Sequence, residues 1–166
     1  MNKGLVFVID DEANVCEMVR EALEGEGFKV QCFENPARGL EALQQKQPEL
    51  LITDLVMPEM DGLELIRRSK TAYPDLSIVV ITGHASLESA IGAIRVGAND
   101  YLVKPFRITQ LMESVTRALS QKRIMQEDED LKTLLRQHFG EAVYKEGKLD
   151  RTHLSSIVFN NKEKLE

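Results

Sequence analysis

The sequence predicts an α/β fold in which helices cover both faces of a doubly wound, five-stranded parallel sheet. Short apolar runs rich in β-branched residues recur along the chain, and segments with helical spacing of apolar residues separate them. This alternation is typical of β-α-β units with parallel strands. The runs are apolar throughout, as expected for strands that are buried on both faces. The five predicted strands are residues 5–9, 29–33, 50–53, 78–81 and 100–103.

The first two helices are predicted from their ends and their apolar positions. Helix one spans residues 14–24, and Gly25 and Gly27 end it. Its apolar face consists of Val15, Met18, Val19, Ala22 and Leu23. Helix two begins at Asn35 and Pro36, an N-cap followed by a proline in the first turn. The face that it is expected to bury consists of Ala37, Leu40 and Leu43.

The other three helices begin at a polar capping residue or after a proline. Helix three begins at Asp61 and ends before Pro74, helix four begins at Ser86, and helix five follows Pro105. Their apolar positions are Leu63, Leu65 and Ile66 in helix three, Ala90, Ile91, Ala93 and Ile94 in helix four, and Ile108, Leu111, Val115 and Leu119 in helix five.

Length and composition limit the class of protein. A chain of 166 residues with 43% hydrophobic content can form one packed domain and an extension. We place the domain at residues 1–122 and expect a helical C-terminal extension over residues 123–166. No run approaches the roughly eighteen apolar residues of a membrane span, and the first residues lack a signal-peptide pattern. We therefore expect a cytoplasmic protein that does not contact a membrane.

Charge and cysteine content argue against nucleic-acid binding and against disulfide-bonded or metal-bound cysteines. Residues 1–120 hold 12 basic and 18 acidic residues and so carry the whole net charge of −6, whereas residues 121–166 are neutral. Neither part has a basic face, so direct binding of nucleic acid by this chain is not expected. The two cysteines, Cys16 and Cys32, fall in a helix and a strand without metal-ligand spacing. This placement predicts reduced, partly buried thiols.

Polar residues follow four of the predicted strands. Asp10 and Asp11 follow the first strand, Asp54 the third, Thr82 the fourth and Lys104 the fifth. Right-handed crossovers bring these strand ends to one edge of the sheet, where such folds form their ligand crevice. Two carboxylates about 4 Å apart repel by roughly 4 kcal/mol at an effective dielectric near 20. A hard divalent cation offsets this repulsion, and Mg²⁺ fits a site of carboxylates, a carbonyl and waters.

This set of residues resembles the receiver domain of two-component response regulators, over roughly residues 3–122. The resemblance implies a flavodoxin-like fold with strand order 2-1-3-4-5. It also implies a signalling switch rather than an enzyme, which accepts a phosphoryl group from a histidine kinase and has weak autophosphatase activity. The residues that carry it are Asp10-Asp11, Leu50-Leu51-Ile52-Thr53-Asp54, Met57-Pro58-Glu59-Met60-Asp61-Gly62, Thr82 and Lys104-Pro105.

The resemblance implies which residues hold the metal and the phosphoryl group. Asp54 is the phospho-acceptor, since an ionised carboxylate can attack phosphorus and form an acyl phosphate. The Mg²⁺ ligands are Asp11, Asp54 and the backbone carbonyl of Val56, with Asp10 acting through water. Lys104 binds phosphoryl oxygens as a point charge, and the bond to the proline after it is usually cis in receivers.

The resemblance also implies a switch. Thr82 approaches the new phosphoryl oxygens and Tyr101 turns inward, which changes the surface of helix four, strand five and helix five. That surface then controls an output or a partner. The segment 82–86 is similar to regulators of the nitrogen-regulatory type, whose output is often an ATPase that activates transcription. His84 lies where receivers vary their dephosphorylation rate, and it is equally well interpreted as a solvent-facing loop residue.

Simpler and rival interpretations exist. Taken alone, Asp10-Asp11 is a turn and a helix cap, and Lys104 is a solvated surface charge. A pseudo-receiver that interacts without accepting phosphate is one rival, and the complete residue set argues against it. A small hydrolase of the haloacid-dehalogenase type is another, because it also uses a nucleophilic aspartate with Mg²⁺. That family has a second aspartate two residues later, where this chain has Val56.

The residues after helix five do not follow the receiver pattern. A loose heptad, with Lys122 in a seam position, consists of Ile108, Leu111, Val115, Ala118 and Met125. It fits either a short coiled coil with a second copy of the chain or one amphipathic helix packed on its own sheet. A homodimer could therefore form through this helix or through the surface of helix four, strand five and helix five.

The C-terminal segment carries a second resemblance. Residues 134–140, 145–151 and 154–161 resemble an internal stretch of dephospho-coenzyme A kinases, so that the similarity spans roughly residues 131–166. The phosphate-binding loop of that family, Gly-x-x-x-x-Gly-Lys-Ser/Thr, does not occur in this chain. Nucleotide-dependent kinase activity is therefore not expected.

Overall fold

The sheet has the predicted topology. The structure, a computed structural model, describes residues 2–122 together with residues 144–145 and 148–149. Five parallel strands lie in the order β2-β1-β3-β4-β5, which confirms the predicted fold class. One strand, β4, is a residue longer at each end than predicted. The strands are β1 (Leu5–Ile9), β2 (Lys29–Phe33), β3 (Leu50–Thr53), β4 (Ser77–Thr82) and β5 (Asp100–Val103).

Helices two, three and four begin where their capping residues predicted, and the first helix begins one residue earlier than predicted. The side chains of Asn35, Asp61 and Ser86 each accept a hydrogen bond from a backbone N–H in the first turn of the helix that follows. Such caps satisfy amide groups that have no partner within the helix. The helices are α1 (Ala13–Gly25), α2 (Pro36–Gln45), α3 (Gly62–Ala72), α4 (Leu87–Arg95) and α5, described over residues 108–122.

Two apolar layers cover the faces of the sheet. Alternate residues of β1 point to opposite faces, so Val6 and Val8 pack in one layer while Phe7 and Ile9 pack in the other. The first layer is closed by α1 and α5, and the second by α2, α3 and α4. The strands are therefore buried on both sides, which leaves their carboxyl ends as the exposed edge where polar groups can meet.

Helix α2 is rotated relative to the prediction. The structure buries Pro36, Gly39 and Leu43, whereas Ala37, which the sequence assigned to the buried face, is exposed. A Cβ atom at Gly39 would lie 2.3 Å from Cδ1 of Ile9, so the helix approaches β1 through this glycine. The prediction for Ala37 was wrong because glycine allows a close backbone approach that apolar periodicity does not register.

Helices α4 and α5 bury different shares of their apolar residues. Within α4 only Ala93 is buried, and Ile91 and Ile94 are exposed. In α5, Leu111, Val115 and Ala118 are buried in the core of their own domain. For the described part of α5, one amphipathic helix packed on its own sheet is therefore confirmed, and a coiled-coil seam through these residues is wrong. Met125 lies outside the described residues.

The chain forms two compact units, Met1–Lys122 and Arg123–Glu166. In the second unit, two short antiparallel strands, β6 (Tyr144–Lys145) and β7 (Lys148–Leu149), pair with Tyr144 opposite Leu149. A two-residue connection containing glycine, as here, is typical of a tight hairpin. The expectation of an entirely helical extension did not include these strands, and the helix expected after α5 lies outside the described residues.

Two smaller predictions can be compared with the structure. Cys16 and Cys32 are both free thiols, the first buried and the second half-buried, as predicted. Among the described residues, no helix combines the length and the apolar character that crossing a membrane requires.

Candidate functional site

The register of the sheet brings the predicted polar residues to one edge. Ile9 lies opposite Thr53 in the parallel pair of β1 and β3, so the aspartates that follow them are neighbours. The backbone N–H of Asp54 donates to the carbonyl of Ile9 at 3.1 Å, and that of Lys104 donates to the carbonyl of Thr82 at 2.9 Å. The backbone therefore fixes where these side chains begin, and the prediction of a common edge is confirmed.

The ammonium group of Lys104 lies among three carboxylates. Its Nζ atom is 2.7 Å from Oδ2 of Asp10, 2.8 Å from Oε1 of Glu12 and 2.9 Å from Oδ2 of Asp54. The peptide bond between Lys104 and Pro105 is cis, as the resemblance to receivers implied. One cation thus offsets part of the repulsion among three acids.

Backbone amides hold the second oxygen of each buried aspartate. Oδ1 of Asp10 accepts a hydrogen bond from the N–H of Glu12 at 2.9 Å. Oδ1 of Asp54 accepts from the N–H groups of Leu55 at 2.6 Å and Val56 at 3.2 Å. Each carboxylate therefore has one oxygen fixed by the main chain and one oxygen, Oδ2, that faces Lys104.

Burial and charge act in opposite directions on the site. Asp10 is fully buried, and this burial raises its pKa more than the contacts with Lys104 and the Glu12 N–H lower it. For Lys104, burial lowers the pKa, but the contacts with the carboxylates of Asp10, Glu12 and Asp54 together raise it above its ordinary value. The site is therefore short of positive charge, and it retains the proton on Lys104.

The donor set fits a hard divalent cation. Carboxylate oxygens of Asp10, Glu12 and Asp54 all lie within 4.8 Å of one another. Oδ2 of Asp10 is buried without a hydrogen bond, since its close contact with Lys104 lacks hydrogen-bond geometry. Oxygen donors of this kind are those that Mg²⁺ prefers, and an unsatisfied buried carboxylate oxygen favours a cation beside it.

Asp11, a predicted metal ligand, lies at the rim of the site. Asp11 is exposed and lines an open crevice of about 560 Å³ together with Glu12, Asp54, Val56 and residues of two neighbouring loops. In the described part of the chain, the close group of acidic donors contains Glu12 instead of Asp11. Asp11 and Val56 thus border the crevice at whose floor Asp54 lies buried.

The start of α3 packs closely against the loop that follows Asp54, and this packing requires glycine at position 62. The N–H of Gly62 donates to the carbonyl of Leu55 at 2.9 Å, and Val56 forms an antiparallel bridge with Asp61. A Cβ atom on Gly62 would lie 2.4 Å from both the carbonyl oxygen of Asp54 and the Cα of Leu55. The first residue of α3 must therefore be glycine for the helix to pack against the backbone of Asp54.

The predicted switch residues make local contacts. Thr82 is fully buried, and its hydroxyl accepts a hydrogen bond from the N–H of His84 at 3.1 Å. No hydrogen bond within the described residues joins Thr82 to Asp54. Tyr101 is half-buried, with its hydroxyl 2.8 Å from that of Ser89 in α4. His84 is exposed and lines the crevice beside Gly83.

Two residues of the site region, Glu12 and Ser89, were not predicted. Glu12 was passed over because it follows the two aspartates, although a third consecutive acid was a visible signal. Ser89 lies in the first turn of α4, where it forms a reciprocal capping box with Ser86, and nothing in the sequence indicated its contact with Tyr101.

Comparison with known proteins identifies the family. The model of the response regulator receiver domain matches residues 6–116. The chain belongs to the response regulator receiver family. Receiver domains are signalling switches, and they typically bind Mg²⁺ at an acidic pocket. The expected family is confirmed, and the acidic edge described above is this receiver domain's counterpart of that pocket.

The relatives are regulators of the nitrogen-regulatory type. The DNA-binding transcriptional regulator NtrC of Escherichia coli K12 is 42% identical over 120 residues, which are 72% of this chain and 26% of that protein. NtrC of Proteus hauseri is 34% identical over 167 residues, covering 95% of this chain and 35% of that protein. The chain thus spans about a quarter to a third of the length of these curated relatives.

A solved structure agrees with the fold. The beryllofluoride-activated NtrC4 receiver domain dimer matches with 29% sequence identity and a TM-score of 0.68, and the match covers 71% of this chain and 98% of that chain. This similarity extends over the receiver domain of the chain.

The comparisons correct the second resemblance. The expected similarity of residues 131–166 to dephospho-coenzyme A kinases is not borne out, because the regulators account for this segment as well. The alignment with NtrC of Proteus hauseri covers 95% of the chain and therefore extends into it.

Proposed function

We propose that this receiver domain accepts a phosphoryl group from a histidine kinase on Asp54, in a Mg²⁺-dependent reaction. The observation that carries the proposal is the environment of one oxygen. Oδ2 of the buried Asp54 lies 2.9 Å from the ammonium of Lys104, at the floor of a crevice open to a partner. A nucleophile beside a fixed positive charge is the arrangement that phosphoryl transfer requires.

The transfer uses few groups of this chain. Oδ2 of Asp54 attacks the phosphorus of a phosphohistidine, so that an O–P bond forms and the N–P bond breaks. The electron pair of that bond returns to the imidazole of the kinase. Lys104 lies where it can bind an oxygen of the transferred group. In slow self-hydrolysis, water attacks the same phosphorus, which releases inorganic phosphate and restores the carboxylate of Asp54.

The cation would be held by Asp10, Asp11, Asp54 and the backbone carbonyl of Val56. When bound, Mg²⁺ neutralises charge on the acceptor and on the phosphoryl oxygens. The unsatisfied Oδ2 of Asp10 supports this assignment, as does the position of Asp11 and Val56 on the crevice. The chain itself supplies the carboxylates, and Lys104 supplies the remaining positive charge.

Phosphorylation is proposed to act on the surface of α4, β5 and α5. New phosphoryl oxygens attract the hydroxyl of Thr82, which now accepts from the N–H of His84. Tyr101 on β5 contacts Ser89 on α4, so a rotation of the tyrosine breaks a contact with that helix. The exposed apolar residues Leu87, Ile91 and Ile94 of α4 support a role for this surface in controlling an output or a partner.

The rest of the proposal concerns organisation. We assign residues 1–122 to the receiver domain and residues 123–166 to an extension, a boundary supported by the two compact units of the chain. A homodimer through α4, β5 and α5 is supported by the NtrC4 receiver, which was solved as a dimer. The relatives bind DNA, and we propose that any such activity lies outside this chain. A cytoplasmic location stays a prediction.

The test is intact-mass measurement after incubation with acetyl phosphate, with and without Mg²⁺. We expect the wild-type protein to gain the mass of one phosphoryl group only with Mg²⁺, and Asp54→Asn to gain none. Asp75→Asn, which changes an exposed aspartate away from the crevice, serves as the control and should label like the wild type.

Two results would contradict the proposal. Full labelling of Asp54→Asn would place the phosphoryl group elsewhere. Normal Mg²⁺ binding by the wild type without any adduct would favour a phosphorylation-independent pseudo-receiver, the alternative considered from the sequence.

A further inference from the structure

Glu12 occupies a position that the proposed chemistry leaves without a role. It is the N-cap residue of α1, yet its side chain makes no capping hydrogen bond. Its N–H donates to Oδ1 of Asp10 at 2.9 Å, and its carbonyl accepts from the N–H groups of Val15 and Cys16 at 3.0 and 3.1 Å. The main chain of Glu12 is therefore fixed on both sides, while its carboxylate is free to extend over the crevice.

The carboxylate of Glu12 reaches the lysine across the sheet edge. Its Oε1 atom lies 2.8 Å from Nζ of Lys104, a residue that is 92 positions away in the sequence. The side chain of Glu12 is 61% exposed, whereas those of Asp10 and Asp54 are 0% and 5% exposed. Of the three acids around Lys104, only Glu12 can exchange the ammonium for water without leaving a buried charge unpaired.

The number of N–H donors on the ammonium makes this difference in exposure important. A lysine ammonium has three N–H donors, and three carboxylate oxygens lie within 2.9 Å of this one. When Oδ2 of Asp54 forms the bond to phosphorus, it no longer accepts from Lys104, and the phosphoryl oxygens then share the ammonium with Asp10 and Glu12. Because Asp10 is buried, the contact with Glu12 is the one that water or a phosphoryl oxygen can replace at the lowest free energy.

We propose that Glu12 is a positioning residue that holds Lys104 in the unphosphorylated site and competes with the phosphoryl group on Asp54 for the lysine ammonium. The inference rests on the proposed function of Asp54. In the unphosphorylated protein Glu12 keeps Lys104 over the crevice. After phosphorylation its carboxylate and the phosphoryl oxygens share the same ammonium, which weakens the hold of Lys104 on the phosphoryl group.

Beryllofluoride tests this competition, since it binds an acceptor aspartate noncovalently and mimics the acyl phosphate. We expect Glu12→Gln to bind beryllofluoride more tightly than the wild type, because an amide is a weaker competitor for the ammonium. The gain should be roughly twofold to fivefold, the range of a solvent-exposed ion pair. The measurement is a ¹⁹F NMR titration of the protein-bound fluorides at saturating Mg²⁺, which removes any effect on metal affinity.

Two comparisons isolate the role of the lysine. Glu21→Gln makes the same charge change on an exposed residue of α1 and should bind like the wild type. In a Lys104→Ala background, Glu12→Gln should give no further gain. An equal gain in affinity in that background would show that Glu12 acts through its charge and not through Lys104, which would overturn the inference. An unchanged or weaker affinity of Glu12→Gln in the wild-type background would also overturn it.

A second measurement needs no beryllofluoride. The ¹⁵Nζ resonance of Lys104 should shift, and its ammonium protons should exchange with water faster, in Glu12→Gln than in the wild type. An unchanged resonance would overturn the inference even if the Lys104→Ala background binds too weakly to titrate. Failure of the wild type to bind beryllofluoride with Mg²⁺ would instead overturn the proposed function, and this inference with it.

Discussion

At the scale of single residues, Lys104 is the group on which the metal-free site depends. It is the cation at contact distance from Asp10, Glu12 and Asp54. Without it, a fully buried aspartate and its neighbour would repel each other in a poorly solvated place. The stability of the sheet edge is therefore linked to whichever cation the edge contains.

We predict that Lys104→Ala lowers the free energy of unfolding by about 1–3 kcal/mol, because it leaves buried carboxylates unpaired. Added Mg²⁺ should recover more stability in this variant than in the wild type, since no ammonium competes for the acids. Urea unfolding with and without Mg²⁺ measures both effects. The same variant should keep some labelling by acetyl phosphate but lose part of the response of the α4, β5 and α5 surface.

Lys122→Ala is a matched control for this prediction. Its side chain is 13% exposed, as is that of Lys104, and it pairs at 2.9 Å with Glu49, which lies at the opposite end of β3 from Asp54. Its loss of stability should be independent of Mg²⁺. If the two variants respond equally to Mg²⁺, the assignment of a cation site to the acidic edge is contradicted.

At the scale of elements, the start of α3 determines the position of the acceptor loop, the segment that follows Asp54, the proposed acceptor. Gly62→Ala would place a methyl group 2.4 Å from the carbonyl oxygen of Asp54, and backbone atoms cannot move aside as a flexible side chain can. We predict a loss of about 1–3 kcal/mol in stability and slower labelling of Asp54 by acetyl phosphate. Both are measured on the same preparation.

The control for this prediction lies at the end of another helix. A Cβ atom on Gly25 in α1 would meet no atom within 4 Å, so Gly25→Ala should be neutral or stabilise the protein by up to about 1 kcal/mol. Labelling of Gly25→Ala should equal that of the wild type. Normal labelling of Gly62→Ala would contradict the close packing of α3 on the acceptor loop.

The stability that the contacts between β5 and α5 contribute should depend on pH, because they involve the carboxylate of Asp100. Asp100 accepts hydrogen bonds from the hydroxyl of the buried Ser114, from Arg117 at 2.7 Å and from the N–H of Tyr101 at 2.9 Å. Burial raises the pKa of Asp100, but these three partners outweigh burial and hold the pKa below its ordinary value. The folded state thus binds this proton more weakly than the unfolded state does.

A lowered carboxyl pKa stabilises the fold above the ordinary value of 3.8, and this contribution is lost as the pH falls through the pKa of the folded state. We predict that Asp100→Asn costs about 1 kcal/mol at neutral pH and progressively less in acid. Urea unfolding across this range measures the difference. A constant gap between wild type and variant at every pH would contradict the ion pair, and Asp75→Asn serves as the exposed control.

At the scale of the whole molecule, the sequence predicted the sheet and most helix starts because these depend on local signals. The caps at Asn35, Asp61 and Ser86 and the common edge of the site were confirmed, as was the order of strands, which the resemblance to receivers had implied. The rotation of α2 was not predicted, because it depends on the approach of Gly39 to Ile9 in space.

The residues of the site, like the elements of the fold, were predicted where they depend on sequence position and were not predicted where they depend on packing. Sequence position placed Asp10, Asp54 and Lys104 at one edge, since strand ends converge in any parallel sheet. It did not identify Glu12 as the third partner of Lys104, because this contact depends on how far a side chain extends from a helix start. Periodicity shows which residues share a face, and only packing decides whether that face, as in α4, is covered.

The uncovered face of α4 leads to a prediction about assembly. Leu87 and Ile94 are 79% and 63% exposed, and Val103 on β5 is 47% exposed, so the apolar surface continues across two elements. Exposed apolar groups arranged in this way are typical of an interaction site. We predict that Mg²⁺ and beryllofluoride shift the protein from monomer to dimer, as measured by size-exclusion chromatography with light scattering.

Ile94→Glu tests whether this face forms the dimer. The variant should stay monomeric, because burying an unpaired carboxylate at an interface is strongly unfavourable, and it should still bind beryllofluoride by ¹⁹F NMR. Gln45→Glu introduces the same charge on an exposed position of α2 and should dimerise like the wild type. A dimer that forms equally well with Ile94→Glu would move the interface away from α4 and leave its apolar stripe for a partner of another kind.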